Sequence, residues 1–166
     1  MIKTTFRTMV LLTAFGLLSS AGQAQNYKTG IGIRFGGLTN GLSIKHFTTS
    51  TVALEGLLSA ANHGFFFTGL YEKHATVGSD AALKLVYGIG GHLGFFNEDG
   101  YYYYSKKRYY NRGVRVAVVG FDAIVGLEYK FRNAPISMGI DVKPFIDLNY
   151  GSYIYADGGV SLRYAF

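Results

Sequence analysis

From Tyr27 onward the chain alternates apolar and polar residues with a period of two, the signature of strands with one apolar face, and helical spacing competes nowhere in this region. Eight strands follow from the pattern. The first spans about Tyr27 to Gly37, with Tyr27, Ile31, Ile33 and Phe35 opposite Lys28, Gly30, Gly32, Arg34 and Gly36. The second runs from Leu42 to Phe47, the third from Val52 to Ala60 and the fourth from Phe65 to His74. In the fifth, Ala82 to Phe96, Leu83, Leu85, Tyr87, Ile89, Leu93 and Phe95 oppose Lys84, Gly88, Gly90, His92 and Gly94. The sixth, Val114 to Phe131, sets Phe121, Val125, Leu127, Tyr129 and Phe131 against Gly120, Asp122, Gly126, Glu128 and Lys130. The seventh, Ile136 to Leu148, sets Met138, Ile140, Val142 and Ile146 against Gly139, Asp141, Lys143 and Asp147. The eighth ends the chain, with Val160, Leu162, Tyr164 and Phe166 opposite Asp157, Gly159, Ser161 and Arg163.

Alternation does not by itself say which face points inward. The apolar face carries too many large side chains for the interior of an eight-stranded barrel, which is only wide enough to be filled by side chains. The polar face mixes both signs of charge with Gly, and a long Lys, Arg or Glu fits a narrow lumen where the opposing residue has no side chain. The aromatics gather near strand ends (Tyr27, Phe35, Phe47, Phe65, Tyr71, Phe95, Tyr129, Phe131, Tyr164, Phe166), as interfacial girdles do. The polar face is therefore predicted inside and the apolar face against lipid. An even strand number returns Phe166 to the side of the first strand. The turns at Thr48 to Thr51, Ala75 to Asp80 and Arg132 to Pro135 fall on that side. The links at Leu38 to Gly41, Asn62 to Gly64, Asn97 to Gly113 and Tyr150 to Ala156 fall on the other. The two longest links thus share one end, as in outer-membrane barrels. A closed barrel also leaves no backbone group unpaired in hydrocarbon.

Composition agrees. Gly (23 residues), Tyr (14) and Phe (13) are abundant while Pro (2) is rare, which favours strands over a helical bundle. At the N-terminus, Lys3 and Arg7 precede the apolar run Met9 to Leu18, and Ala21-Gly22-Gln23-Ala24 supplies small residues for cleavage. About ten apolar residues are too short for a spanning helix, which needs ~20. Residues 1–24 are expected to be a cleaved signal peptide and 25–166 a single barrel domain. Losing Lys3 and Arg7 lowers the formal charge from +6 to +4. The remaining charge is spread along the chain, and export removes it from nucleic acid, so no nucleic-acid partner is expected. With no Cys, neither disulfides nor a lipid-anchored Cys is available.

The segments Gly41-Leu42-Ser43-Ile44-Lys45-His46-Phe47 and Ala53-Leu54-Glu55-Gly56, with Gly126-Leu127-Glu128-Tyr129-Lys130-Phe131, carry a family likeness. Ala134-Pro135-Ile136, Asp141-Val142-Lys143-Pro144 and the terminal strand extend it over the mature chain. On these residues the sequence resembles the small eight-stranded outer-membrane barrels of the OmpX and OmpA-transmembrane-domain type, most of all the short outer-membrane β-barrel proteins of Bacteroidetes. The resemblance implies an all-β, up-and-down transmembrane barrel in the outer membrane of a Gram-negative bacterium. Its terminal residues Val160, Leu162, Tyr164 and Phe166 resemble the signal read by the barrel-assembly machinery. Fold likeness transmits no activity.

Three constellations carry chemistry. The polar-face charges Arg34, Lys45, Glu55, Glu72, Lys84, Asp122, Glu128, Lys130, Asp141, Lys143, Asp147 and Arg163 hold basic and acidic groups in equal number. Because a buried unpaired charge is costly, they are expected to form a structural salt-bridge plug, with Glu128, Lys130, Asp141 and Lys143 at its core. A proton or ion path is the functional alternative. The second is the loop Tyr101-Tyr102-Tyr103-Tyr104-Ser105-Lys106-Lys107-Arg108-Tyr109-Tyr110-Asn111-Arg112, where amphipathic Tyr and cationic Lys and Arg suit a protein, a glycan or lipopolysaccharide phosphates. Plain extension of the fifth and sixth strands past the membrane surface, with Tyr at the headgroup level and nonspecific contact to lipid phosphates, is the simpler reading of the same residues. Third, His46, His63, His74 and His92 are too scattered to assign a Ser–His–acid triad, a metal site or a cofactor. A non-enzymatic envelope or surface-interaction barrel is the first expectation. An accessory subunit of a larger outer-membrane transport, secretion or assembly complex comes second, and a lipid-modifying enzyme third.

Overall fold

The computed structural model describes residues 27–61, 64–96, 116–149 and 154–166. Eight strands, β1 (Thr29–Gly36), β2 (Asn40–Phe47), β3 (Val52–Ala61), β4 (Gly64–Val77), β5 (Asp80–Phe96), β6 (Val116–Lys130), β7 (Ile136–Asp147) and β8 (Ile154–Ala165), form one closed antiparallel barrel. Each strand pairs with its neighbours in sequence, and β8 returns to β1 with Ile31 opposite Tyr164 and Ile33 opposite Leu162. The Thr29 and Phe166 backbones exchange two hydrogen bonds of 3.0 and 2.8 Å, so the final residue is part of the closure. The end holding Tyr27 and Phe166 is termed proximal and the other distal.

The eight-stranded up-and-down architecture is the one that the period-two pattern predicts; the differences lie at strand ends. β1 starts at Thr29, and Tyr27 turns inward instead of joining an outer girdle: its hydroxyl donates to Glu128 (2.8 Å). Phe47 likewise packs inside, edge-on to Tyr27 (5.4 Å between ring centroids) and against His74 (4.8 Å). It shares the parity of Ser43 and Lys45, which its place at a strand end conceals. β2 begins earlier than predicted because the β1–β2 turn is tight, with the Gly36 N–H bonded to Thr39 O and Asn40 Oδ1, both at 3.0 Å. β4 and β5 run on to Val77 and Asp80, closed by Gly78 at φ +63°, a left-handed position that glycine adopts freely.

The wall obeys one rule on each face. Outward, large apolar side chains stand exposed on all eight strands: Ile31, Leu42, Leu54, Phe67, Ile89 (70%), Phe121, Ile140 and Ile154 (78%) among them. Inward, Arg34, Lys45, Glu55, Glu72, Asp122, Glu128, Asp157 and Arg163 are buried. Glycines on the inner face make room for them. A Cβ at Gly159 would stand 2.5 Å from Arg34 Cζ, and one at Gly120 2.4 Å from His92 Cε1. The inner face is not wholly polar. Leu57, Leu70 and Ile124 pack together midway along the lumen, and Phe66, Phe96 and Val118 form a distal cluster. In strand order, Leu57 and Leu70 follow Glu55 and Glu72 towards the distal end, and Ile124 stands beyond Glu128 in the same direction.

Candidate functional site

The polar inner face resolves into three ion clusters and an open vestibule. In the proximal cluster, Lys45 Nζ lies 3.3 Å from Glu55, 2.8 Å from Glu72 and 2.9 Å from Glu128. Arg163 bridges Glu55 and, at 3.4 Å, Glu128, while its Nε donates to Ser43 Oγ (2.7 Å). The Ser43 hydroxyl donates in turn to Glu55 (2.6 Å). His74 Nε2 stands 3.3 Å from Glu72. These groups come from β2, β3, β4, β6 and β8, so the contacts run across the lumen as well as along the wall. Two buried cations facing three buried carboxylates are held because each ion has several partners.

Two clusters lie distally. Arg34 binds Asp141 (2.6 Å) and Asp157 (2.9 Å), and Asp157 also accepts the Thr39 hydroxyl (2.6 Å) and the Leu38 N–H (2.9 Å). Asp157 thereby ties the β1–β2 turn to β8. In the other, His92 places Nδ1 2.7 Å from Asp122 and Nε2 3.0 Å from Asp147, and Lys143 adds a 2.7 Å contact to Asp122. Both ring nitrogens of His92 thus stand within hydrogen-bond distance of a carboxylate. Phe66 (5.2 Å) and Phe145 (5.5 Å) meet the His92 ring edge-on, and Tyr155 stacks on Phe145 (5.3 Å). The gap bounded by Thr39, Ser59, Phe66, Thr68, His92, Lys143 and Phe145 has no room for a water-sized sphere.

The sequence-predicted core of Glu128, Lys130, Asp141 and Lys143 is not one cluster. Glu128 belongs to the proximal set, Asp141 pairs with Arg34, and Lys143 pairs with Asp122. Lys130 sits at the proximal rim with Nζ 4.3 Å from the Tyr27 ring centroid, and Lys84 Nζ donates to Thr76 Oγ1 (2.7 Å). Neither makes an ion pair with a carboxylate among the described residues, so both depart from the plug in which they were expected. Asp157, Ser43, Thr39 and His92 enter the clusters without having been singled out as members. Parity on their strands was the available signal for Asp157, Ser43 and His92; Thr39 lies in the β1–β2 turn, where parity gives none.

At the proximal end the lumen widens into a cavity of about 450 Å³, lined by Tyr27, Lys28, Phe47, Thr48, Thr49, Ser50, His74, Ala81, Ala82, Lys84, Glu128 and Lys130. The β4–β5 hairpin builds one wall, because β4 continues beyond the residue pair Val52 and Lys73 at which β3 begins. On the rim Asp80 accepts the Ala82 N–H (2.9 Å) and Arg132 (2.6 Å). The backbone bond first, then the guanidinium, hold its carboxyl below the ordinary range.

Of the four histidines, His46 is exposed on the outer wall and touches Thr29 Oγ1 (2.9 Å), while His74 and His92 belong to the ion clusters. His63 and the whole of Tyr101 to Arg112 lie outside the described residues, as do residues 1–24. In the terminal strand, Val160, Leu162 and Phe166 are exposed on the outer wall and Tyr164 is half-buried there. No known family model matches the chain, and no curated protein is significantly similar to it.

Proposed function

We propose that this chain is a small integral outer-membrane β-barrel of the OmpX and OmpA-transmembrane-domain type, with a non-enzymatic role in envelope integrity or surface interaction. The observation that carries the reading is the inverted polarity of the wall: exposed Ile, Leu, Val and Phe outside, ion clusters inside. A soluble barrel rarely leaves an apolar surface this extensive facing water. Hydrocarbon accepts it without penalty, and closure leaves no strand edge to satisfy.

In the proposed orientation the proximal end faces the periplasm, reached after removal of residues 1–24, and Val160, Leu162, Tyr164 and Phe166 present the assembly signal. The Tyr101 to Arg112 segment then lies on the cell surface, where its Lys and Arg meet lipopolysaccharide phosphates or a partner. The interior acts as a structural plug, because eight strands enclose side chains and not an aqueous channel.

Diluting urea-unfolded residues 25–166 into detergent micelles tests this. Folded barrel should run at a different mobility before boiling than after, with β-type circular dichroism. A chain that is folded, soluble and monomeric without detergent, with no heat-dependent mobility, contradicts the membrane reading.

A further inference from the structure

Among the described residues, the lysines inside this barrel differ in whether a carboxylate stands within ion-pair distance, and the division is spatial. Deep in the lumen, Lys45 contacts three carboxylates and Lys143 one. At the proximal vestibule, among the described residues, Lys84 Nζ meets a hydroxyl, Thr76 Oγ1 at 2.7 Å, and Lys130 lies over the face of Tyr27, beyond ion-pair distance of Glu128 but within its electrostatic reach. Both are half-buried, both line the same cavity of about 450 Å³, and Lys28 adds a third ammonium at its edge. The one carboxylate among the lining residues is Glu128, and it is already occupied by Lys45 (2.9 Å), Arg163 (3.4 Å) and the Tyr27 hydroxyl (2.8 Å). Three ammonium groups against the one carboxylate on the wall leave a local excess of positive charge in a concave, half-buried setting, where a Coulomb contact counts for more than on an open surface.

The geometry points to a binding site for a small organic carboxylate, its head held between Lys84 and Lys130 and its body against Tyr27, Phe47 and Ala82. The cavity falls within the size range of small-molecule pockets and is too small for a folded partner. An organic carboxylate suits it better than phosphate, because Tyr27, Phe47, Ala81 and Ala82 offer an apolar surface that the body of such an anion covers and phosphate cannot use. The lining hydroxyls and ammonium donors fix the head, while the Phe47 and Tyr27 rings cover the rest. This site depends on the barrel and its proximal end, not on the membrane reading, so its failure leaves that reading standing and heat-dependent mobility tests the latter separately.

The test is a titration of isotopically labelled residues 25–166, folded in zwitterionic micelles, with benzoate, benzamide and inorganic phosphate, following the amide resonances of Ala82, Lys84 and Lys130. Saturable shifts with benzoate, no saturation with neutral benzamide and at least tenfold weaker binding of phosphate are expected. The double variant Lys84→Met/Lys130→Met should weaken benzoate at least tenfold. Lys73→Met, on the exposed outer face of β4, should leave it unchanged. Gel mobility before boiling confirms that each variant is folded, and the single variants Lys84→Gln and Lys130→Gln, expected at intermediate affinity, replace the double one if it is not. Absence of saturable binding, equal binding of benzamide, phosphate binding as tight as benzoate, or undiminished affinity in the lysine variants overturns the assignment.

Discussion

Asp141 and Val142 are neighbours on β7 and live under different rules. Asp141 is turned into the lumen, where it meets one particular guanidinium, Arg34, at 2.6 Å, beside a Gly159 whose missing side chain makes the space. Val142 is turned outward, half exposed, with nothing in the barrel that its shape must match. Inner residues are specified individually, by partner and position. Outer residues are specified only as a class, apolar and of any shape. The same strand thus carries two densities of information, and substitutions on its two faces should differ in kind.

The largest effect is expected where one inner partner is removed. Arg163→Met leaves the buried Glu55 and Glu128 with fewer cations and should cost ~3–5 kcal/mol, the range for breaking a buried pair. The urea midpoint of the folded, unboiled gel band measures it. Adding Glu55→Gln to that variant should recover part of the loss. No recovery would show that the inner face is not organised by specific pairing.

On the outer face, charge and not shape should matter. Ile140→Arg, near the middle of β7, should cost ~2–4 kcal/mol if that face meets lipid, whereas Ile140→Leu should be close to neutral in the same urea experiment. Equal tolerance of both would remove the difference between the faces.

A smaller inner effect should follow Gly159→Ala, whose Cβ meets the Arg34 guanidinium; overpacking of this sort costs ~1–3 kcal/mol. A destabilisation that disappears in an Arg34→Met background identifies the guanidinium as the obstacle. Smallest of all is the exposed rim contact of Asp80. Its folded-state carboxyl titrates below its unfolded value, so the contact stabilises above the ordinary Asp range and is lost as pH falls through the depressed value. Asp80→Asn should erase that shallow acid dependence and leave neutral-pH stability nearly unchanged, which urea midpoints across an acid pH series would show.

Much of this was legible in the alternation. Strand number and the shared face of Glu55, Asp122, Glu128, Asp141 and Arg163 follow from a period of two, because parity is a local property; that this face points inward needed the excess volume of the apolar face. Pairing was not legible, since it depends on how the strands stagger around the barrel. Arg34 on β1 meets Asp141 on β7 across intervening β8, and Lys45 on β2 meets Glu128 on β6 across the lumen. Reasoning from consecutive strands therefore joined Glu128, Lys130, Asp141 and Lys143, which the stagger separates. Tyr27 and Phe47 were misplaced for a related reason. At strand ends an aromatic fits a girdle and a rim equally well, and only the packing of Tyr27 on Phe47 and Glu128 decides. The vestibule needed the β4–β5 overhang, and an overhang is a difference between strand lengths that no single strand reveals.

The claim beneath all of this is that the outer wall meets hydrocarbon, and the chain's lack of Trp provides a clean probe. Single indoles introduced by Val142→Trp and Ile89→Trp, in protein folded into vesicles, can be quenched from either phase. Strong quenching by lipids brominated in their acyl chains, with little by aqueous iodide, is the expected result. Strong iodide quenching with no effect of the brominated chains contradicts a lipid-facing wall.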